Sequence, residues 1–129
     1  MENKIGIILT SIEKDKALFE SIASILKILQ PNWMIICGVQ AKEGQIIEFS
    51  HPQIYCYQLP YNCGISYARN DLIEKAIGLG CEFTLLSADS ILFNESMKDI
   101  NNLLPCFQKS DREAWDFYDL IGLSLSNRI

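Results

Sequence analysis

The chain has 129 residues, 49% of them apolar and 21% charged, the profile of one folded domain and not of a disordered segment. Lys and Arg number 11 against 16 Asp and Glu, a formal charge of -5; with no basic stripe to meet phosphates, this argues against a nucleic-acid partner. The longest apolar runs, such as Ile5 to Leu9 and Met34 to Cys37, are far too short for a transmembrane segment.

The opening Met-Glu-Asn-Lys runs directly into a strand-like segment without signal-peptide organisation, so a cytoplasmic protein is expected. Lys4 to Thr10 is an apolar run ending on a hydroxyl, the pattern of a strand buried on both faces. A helix starting from Asp15 or Ser11 follows, with Leu18, Ile22, Ile25 and Leu29 at helical spacing and Pro31-Asn32 as its stop. Trp33 to Val39 is the next buried strand. The polar stretch from Gln40 to Pro52 is mostly loop, and Ile54 to Leu59 is a brief strand. Pro60 to Gly64 forms a turn ahead of a helix over Ile65 to Ile77, with Ile65, Ala68, Leu72 and Ala76 on one face and Gly78 and Gly80 closing it. Glu82 to Leu86 is another buried strand, ended by Ser87-Ala88-Asp89-Ser90. A short helix over Glu95 to Leu104 and a strand-like segment over Phe117 to Leu125 come last.

Five cysteines, at 37, 56, 63, 81 and 106, show no Cys-x-x-Cys spacing. Cys37, Cys56 and Cys81 lie in apolar surroundings, where a reduced thiol behaves as a small hydrophobe. The one histidine, His51, sits in Ser50-His51-Pro52, a loop signature, so no zinc site or Cys-His pair is indicated.

Strands alternating with helices, each strand an unbroken apolar run, predict an α/β fold: a three-layer αβα, Rossmann-like, mainly parallel sheet in a single domain, 1-129. In such sheets ligands bind beyond the carboxyl ends of the strands. Those ends carry Thr10 and Ser11, Gly38 to Gln40, and Ser87 to Asp89, and the turn before the second helix adds Asn62 and Gly64. The dinucleotide fingerprint, the P-loop and the Gly-x-Ser-x-Gly elbow are all absent. A nucleotidyltransferase would want a Gly-rich phosphate loop after the first strand, and there is none.

Asn62-Cys63-Gly64-Ile65-Ser66-Tyr67-Ala68-Arg69-Asn70, together with Leu85-Leu86-Ser87-Ala88-Asp89, resembles the donor-binding half of GT-A glycosyltransferases, in particular glycosyltransferase family 2. The resemblance runs from Lys4 to about Phe93, and Tyr118-Asp119-Leu120-Ile121-Gly122 looks like the start of that family's next strand. It implies an enzyme that binds a nucleotide-diphosphate sugar with Mg²⁺ or Mn²⁺ and transfers the sugar to a glycan, lipid or protein acceptor. Asp89 would hold the metal, since such ions use one or two protein carboxylates with phosphate and water completing the shell. Arg69 would reach the diphosphate or orient Asp89. Thr10, Ser11 and Gln40 would contact the nucleoside, and Asn62, Gly64 and Ser87 the rest of the donor.

Three departures from the family pattern bear on that picture. Ser87 stands where the first Asp of Asp-x-Asp usually lies. Gln40 stands in the region after the second strand where an Asp usually meets the base; its amide both donates and accepts but carries no carboxylate. The third concerns the general base, for which Asp116 and Asp119 are the only late candidates. The expected sheet is therefore truncated after about five strands relative to the family, with the acceptor part largely missing. The alternative from another class is a non-catalytic Rossmann-like interaction or homo-oligomerisation module, using Trp33, Tyr55, Tyr57, Trp115 or Phe117 as contacts. A helix cap is the competing use of Ser11, a turn cap that of Asp89, and a surface pair with Asp71 or Glu74 that of Arg69.

Overall fold

The computed structural model describes residues 4–12, 16–41, 49–89 and 91–103. Four strands, β1 (Ile5–Ser11), β2 (Trp33–Gln40), β3 (Ile54–Leu59) and β4 (Phe83–Ala88), pair in parallel in the order β3-β2-β1-β4. Two α-helices, α1 (Lys16–Leu26) and α2 (Ile65–Gly78), and a 3-10 helix, Glu95–Leu103, accompany them. The chain divides into two compact units, Met1–Lys98 and Asp99–Ile129, and the sheet and both α-helices lie within the first. The α/β, Rossmann-like class is thus as the alternation of elements predicts. The strand-like segment Phe117 to Leu125 lies outside the described residues.

β1 is buried at every position and β2 at every position but Met34, which is why both read as continuous apolar runs. Registered partners in a parallel ladder project to the same side. Gly6, Ile8, Met34, Ile36 and Tyr57 therefore share one face, where Ile8, Ile36, Leu72 and Ala76 form a buried cluster under α2. The other face carries Ile5, Ile7, Leu9, Trp33, Ile35 and Val39, all buried. Right-handed crossover from β1 to β2 gives that face to α1, whose Leu18, Ile22 and Ile25 are buried. Each fully buried aliphatic side chain contributes about 1.5–3 kcal/mol to this core. Trp33, only 1% exposed, belongs to the core and is not a surface contact; Tyr55 is exposed and Tyr57 half-buried.

Three local expectations are corrected by the packing. Ser11 does not start a helix: it completes β1, paired with Val39. α1 ends at Leu26, short of Leu29, because the Ile28 N–H turns to the Ile25 carbonyl at 3.1 Å and tightens the last turn. β4 is not buried on both faces: Thr84 is exposed and Leu86 is 43% exposed, since β4 borders the described sheet and α2 is centred on β1 and β2.

α2 closes as the glycines predict. Gly80 takes a left-handed φ of 87°; its N–H reaches the Ile77 carbonyl and the Cys81 N–H the Ala76 carbonyl, both at 3.0 Å. This is a Schellman closure, and the Cys81 side chain completes it by packing on the α2 cluster. Lys4 Nζ donates to the Leu79 carbonyl at 2.8 Å, tying the helix end to the start of β1.

Candidate functional site at the carboxyl edge of the sheet

The strand order places the reversal of chain direction between β1 and β4. From β1 the chain steps outward to β2 and β3, then returns through α2 to the far side of β1. The crevice beyond the carboxyl ends of β1 and β4 is where an open α/β sheet binds ligand. Thr10 pairs with Ala88 there, and Leu9 with Ser87, so Thr10, Ser11, Ser87 and Asp89 all lie at this switch point.

The same register divides these residues between two faces. Thr10 and Gln40 project to the α2 side, Ser11 and Ser87 to the α1 side. Thr10, Ser11, Gln40 and Ser87 are all buried, whereas Asn62 and Gly64 are exposed and Asp89 is half-buried. Gln40 Oε1 accepts the Gly64 N–H at 3.3 Å, bracing the end of β2 against the start of α2. The chain enters α2 through a turn closed by the Cys63 N–H on the Pro60 carbonyl at 3.2 Å. Asn62, at φ 61°, fills the third position of that turn, where positive φ is required and Asn is tolerated. No side chain caps α2: Gly64 holds the N-cap position, and the first turn carries no acidic residue. The helix therefore directs its partial positive end to the same edge.

Two buried polar side-chain atoms, Ser87 Oγ in β4 and Arg69 Nε in α2, have no hydrogen-bond partner among the described residues. A buried polar group left unbonded costs about 1–3 kcal/mol, so each of these two atoms calls for a partner. Arg69 makes no ion pair with Asp71 or Glu74 among the described residues. Asp71 instead accepts the Tyr57 hydroxyl at 2.5 Å.

The Asp89 charge is felt at Cys37 in β2. Cys37 and Cys56 are registered neighbours on the α1 face, and the Cys37 thiol is held far above its ordinary pKa. The causes are its hydrogen bond with Cys56, then burial, then the negative charges of Cys56 and Asp89. Cys37 is fully buried, and Cys56, Cys63 and Cys81 are half-buried free thiols. His51 is a half-buried loop residue whose Nδ1 accepts the Gln53 N–H at 3.0 Å.

Among the described residues no three His, Cys, Asp or Glu side chains come together. The donor set suits an ion held by one carboxylate and completed by phosphate and water, not an all-protein cage. Asp116 and Asp119 lie outside the described residues. None of the described helices is long and apolar enough to cross a membrane.

No family model matches the chain, and no curated protein matches it. Among solved structures, S. aureus TarS 1-349 superposes with a TM-score of 0.67 at 18% identity, over 81% of this chain and 33% of that one. TarS is a GT-A-type glycosyltransferase. The fold of this chain is therefore glycosyltransferase-like, and it spans one third of the TarS fragment.

Proposed function

We propose that this chain is the donor-binding part of a GT-A glycosyltransferase of the family 2 type, one that binds a nucleotide-diphosphate sugar with Mg²⁺ or Mn²⁺. The observation that carries the proposal is the orphaned Ser87 hydroxyl in the strand that delivers the Asp89 carboxylate to the β1/β4 switch point. Asp89 is assigned to the cation, which when bound neutralises the charge developing on the departing diphosphate. Ser87 takes the place of a first carboxylate, donating one hydrogen bond to the donor in place of a charge. Arg69, with its Nε uncommitted, is assigned to the diphosphate. Thr10 and Ser11 are assigned to the nucleoside, and Gln40, its oxygen committed to Gly64, keeps its amide nitrogen for a base edge. Asn62 and Gly64 shape the turn beside the donor. The acceptor is a glycan, lipid or protein, and the general base is sought at Asp116 or Asp119.

Calorimetric titration with UDP and with GDP, each with and without Mn²⁺, tests the assignment. Binding that requires Mn²⁺ and weakens at least about tenfold in Asp89→Asn is expected, the scale of losing a metal-directing carboxylate. Equal binding by Asp89→Asn, or none of either nucleotide at millimolar concentration, overturns it.

A further inference from the structure

We propose that Ser21 and Ser24 of α1 are positioning residues: by gripping the chain just beyond Asp89 they fix where its carboxylate points. The inference rests on the assignment of Asp89 to the cation.

Both serines lie within α1: Ser21 is buried alongside Leu18, Ile22 and Ile25, and Ser24 is half-buried. A helix interior disfavours Ser relative to Ala by about 0.5 kcal/mol, and a buried hydroxyl costs more unless it is bonded. Here the bonds go to one distant segment. Ser21 Oγ, on a residue with no exposure, donates to the Ile91 carbonyl at 2.7 Å. Ser24 Oγ accepts the Phe93 N–H at 2.8 Å and donates to the Ser21 carbonyl at 2.6 Å. The Phe93 side chain is 7% exposed, whereas Leu92 between the two anchors is 59% exposed. The segment is thus held by alternate residues, with Leu92 turned away.

The grip reaches Asp89 through one short turn. The Ile91 N–H donates to the Ala88 carbonyl at 3.2 Å, closing a loop whose second residue is Asp89. One end of this loop is the last residue of β4, set by its pairing with Thr10; the other is Ile91, set by Ser21. The backbone that carries Asp89 is thereby held from both ends, which sets where its side chain starts from. Removing one clamp releases an end of the turn, and the ion meets a ligand that must be reordered on binding.

Mn²⁺ binding to the full chain in the presence of inorganic diphosphate, read by electron paramagnetic resonance of the free ion, tests the proposal without an activity assay or a choice of base. Ser24→Ala is expected to weaken Mn²⁺ binding about tenfold, the usual cost of losing an outer-shell partner. Ser24→Thr, which keeps the oxygen, is expected to stay within about twofold of the parent. A purely structural serine would lower the unfolding midpoint of Ser24→Ala and leave the Mn²⁺ affinity of the folded protein unchanged. That result, with Asp89→Asn weakening binding as expected, overturns the proposal and leaves the Asp89 assignment standing. Should Asp89→Asn bind as the parent does, or the parent not bind Mn²⁺ at all, the Asp89 assignment itself falls and the clamp's role falls with it. If Ser24→Ala does not fold, Ser21→Ala removes the Ile91 bond instead, with the same expected loss and the same refuting outcome.

Discussion

Adding a single methyl group at Gly38 probes how tightly the sheet and α2 are fitted beneath the proposed site. A Cβ built there lies 2.6 Å from Leu59 Cδ1, 3.1 Å from Leu59 Cγ and 3.1 Å from Leu72 Cδ2. Carbon atoms in contact prefer about 3.5–4.0 Å, so the overlap with Leu59 approaches about 1 Å. Leu59 is 2% exposed and Leu72 not exposed at all, so neither has open space to swing into. Overpacking of this kind costs about 1–3 kcal/mol, and the lost freedom of the unfolded chain returns about 0.4–1 kcal/mol. Gly38→Ala should therefore destabilise the fold by about 1–2 kcal/mol. Urea unfolding followed by Trp33 fluorescence reads this as a lowered midpoint at unchanged slope. The strain has one principal source, so shortening Leu59 should relieve it. In a double-mutant cycle, Leu59→Ala is expected to cost less in the Gly38→Ala background than alone, by about 1 kcal/mol. A Gly38→Ala protein as stable as the parent, or strictly additive costs, would refute the packing argument.

Tyr57→Phe removes the hydroxyl that donates to Asp71 but keeps the ring over which Lys75 Nζ sits, 5.2 Å from its centroid. A loss of about 1 kcal/mol is expected, with a particular pH dependence. Burial, then the bond to Asp71, raises the Tyr57 pKa above its ordinary value of 10.0; a raised pKa stabilises the fold below the unfolded value and loses that contribution as pH climbs toward the folded one. The stability gap between parent and variant should thus be flat up to about pH 10 and narrow above it; a gap that widens with alkali would contradict this. Iodoacetamide at pH 8 should modify Cys63 in the folded protein at least about tenfold faster than Cys37, whose raised pKa and burial deny it a thiolate. Comparable rates, measured by peptide mass mapping before unfolding, would show that Cys37 is not held as described.

Much of the fold is legible in residue patterning because its signals are local. Ile54 to Leu59 and the start of α2 at Ile65 fall where the apolar runs and the Pro60-to-Gly64 turn put them, and Gly80 takes the left-handed φ that ends the helix. The misjudged boundaries have non-local causes. Ser11 stays extended because Val39 pairs with it, and β4 keeps an exposed face because of its place in the sheet, neither of which its own residues encode. The candidate site divides in the same way. Thr10, Ser11, Ser87 and Asp89 can be assigned to strand ends from the sequence; that Gln40 would brace Gly64 cannot, since the partners are 24 residues apart.

From its sequence alone this chain is a parallel α/β protein with small polar residues at its strand ends, because periodicity, turn chemistry and apolar run length act over a few neighbouring residues. Tertiary structure decided which ends meet. The order β3-β2-β1-β4 brings Thr10 beside Ala88 across 78 positions of chain, leaves Ser87 Oγ and Arg69 Nε buried without partners among the described residues, and lets two serines of α1 hold the turn after Asp89. Strand pairing is chosen by the burial energy of the whole sheet, and no single segment carries that information.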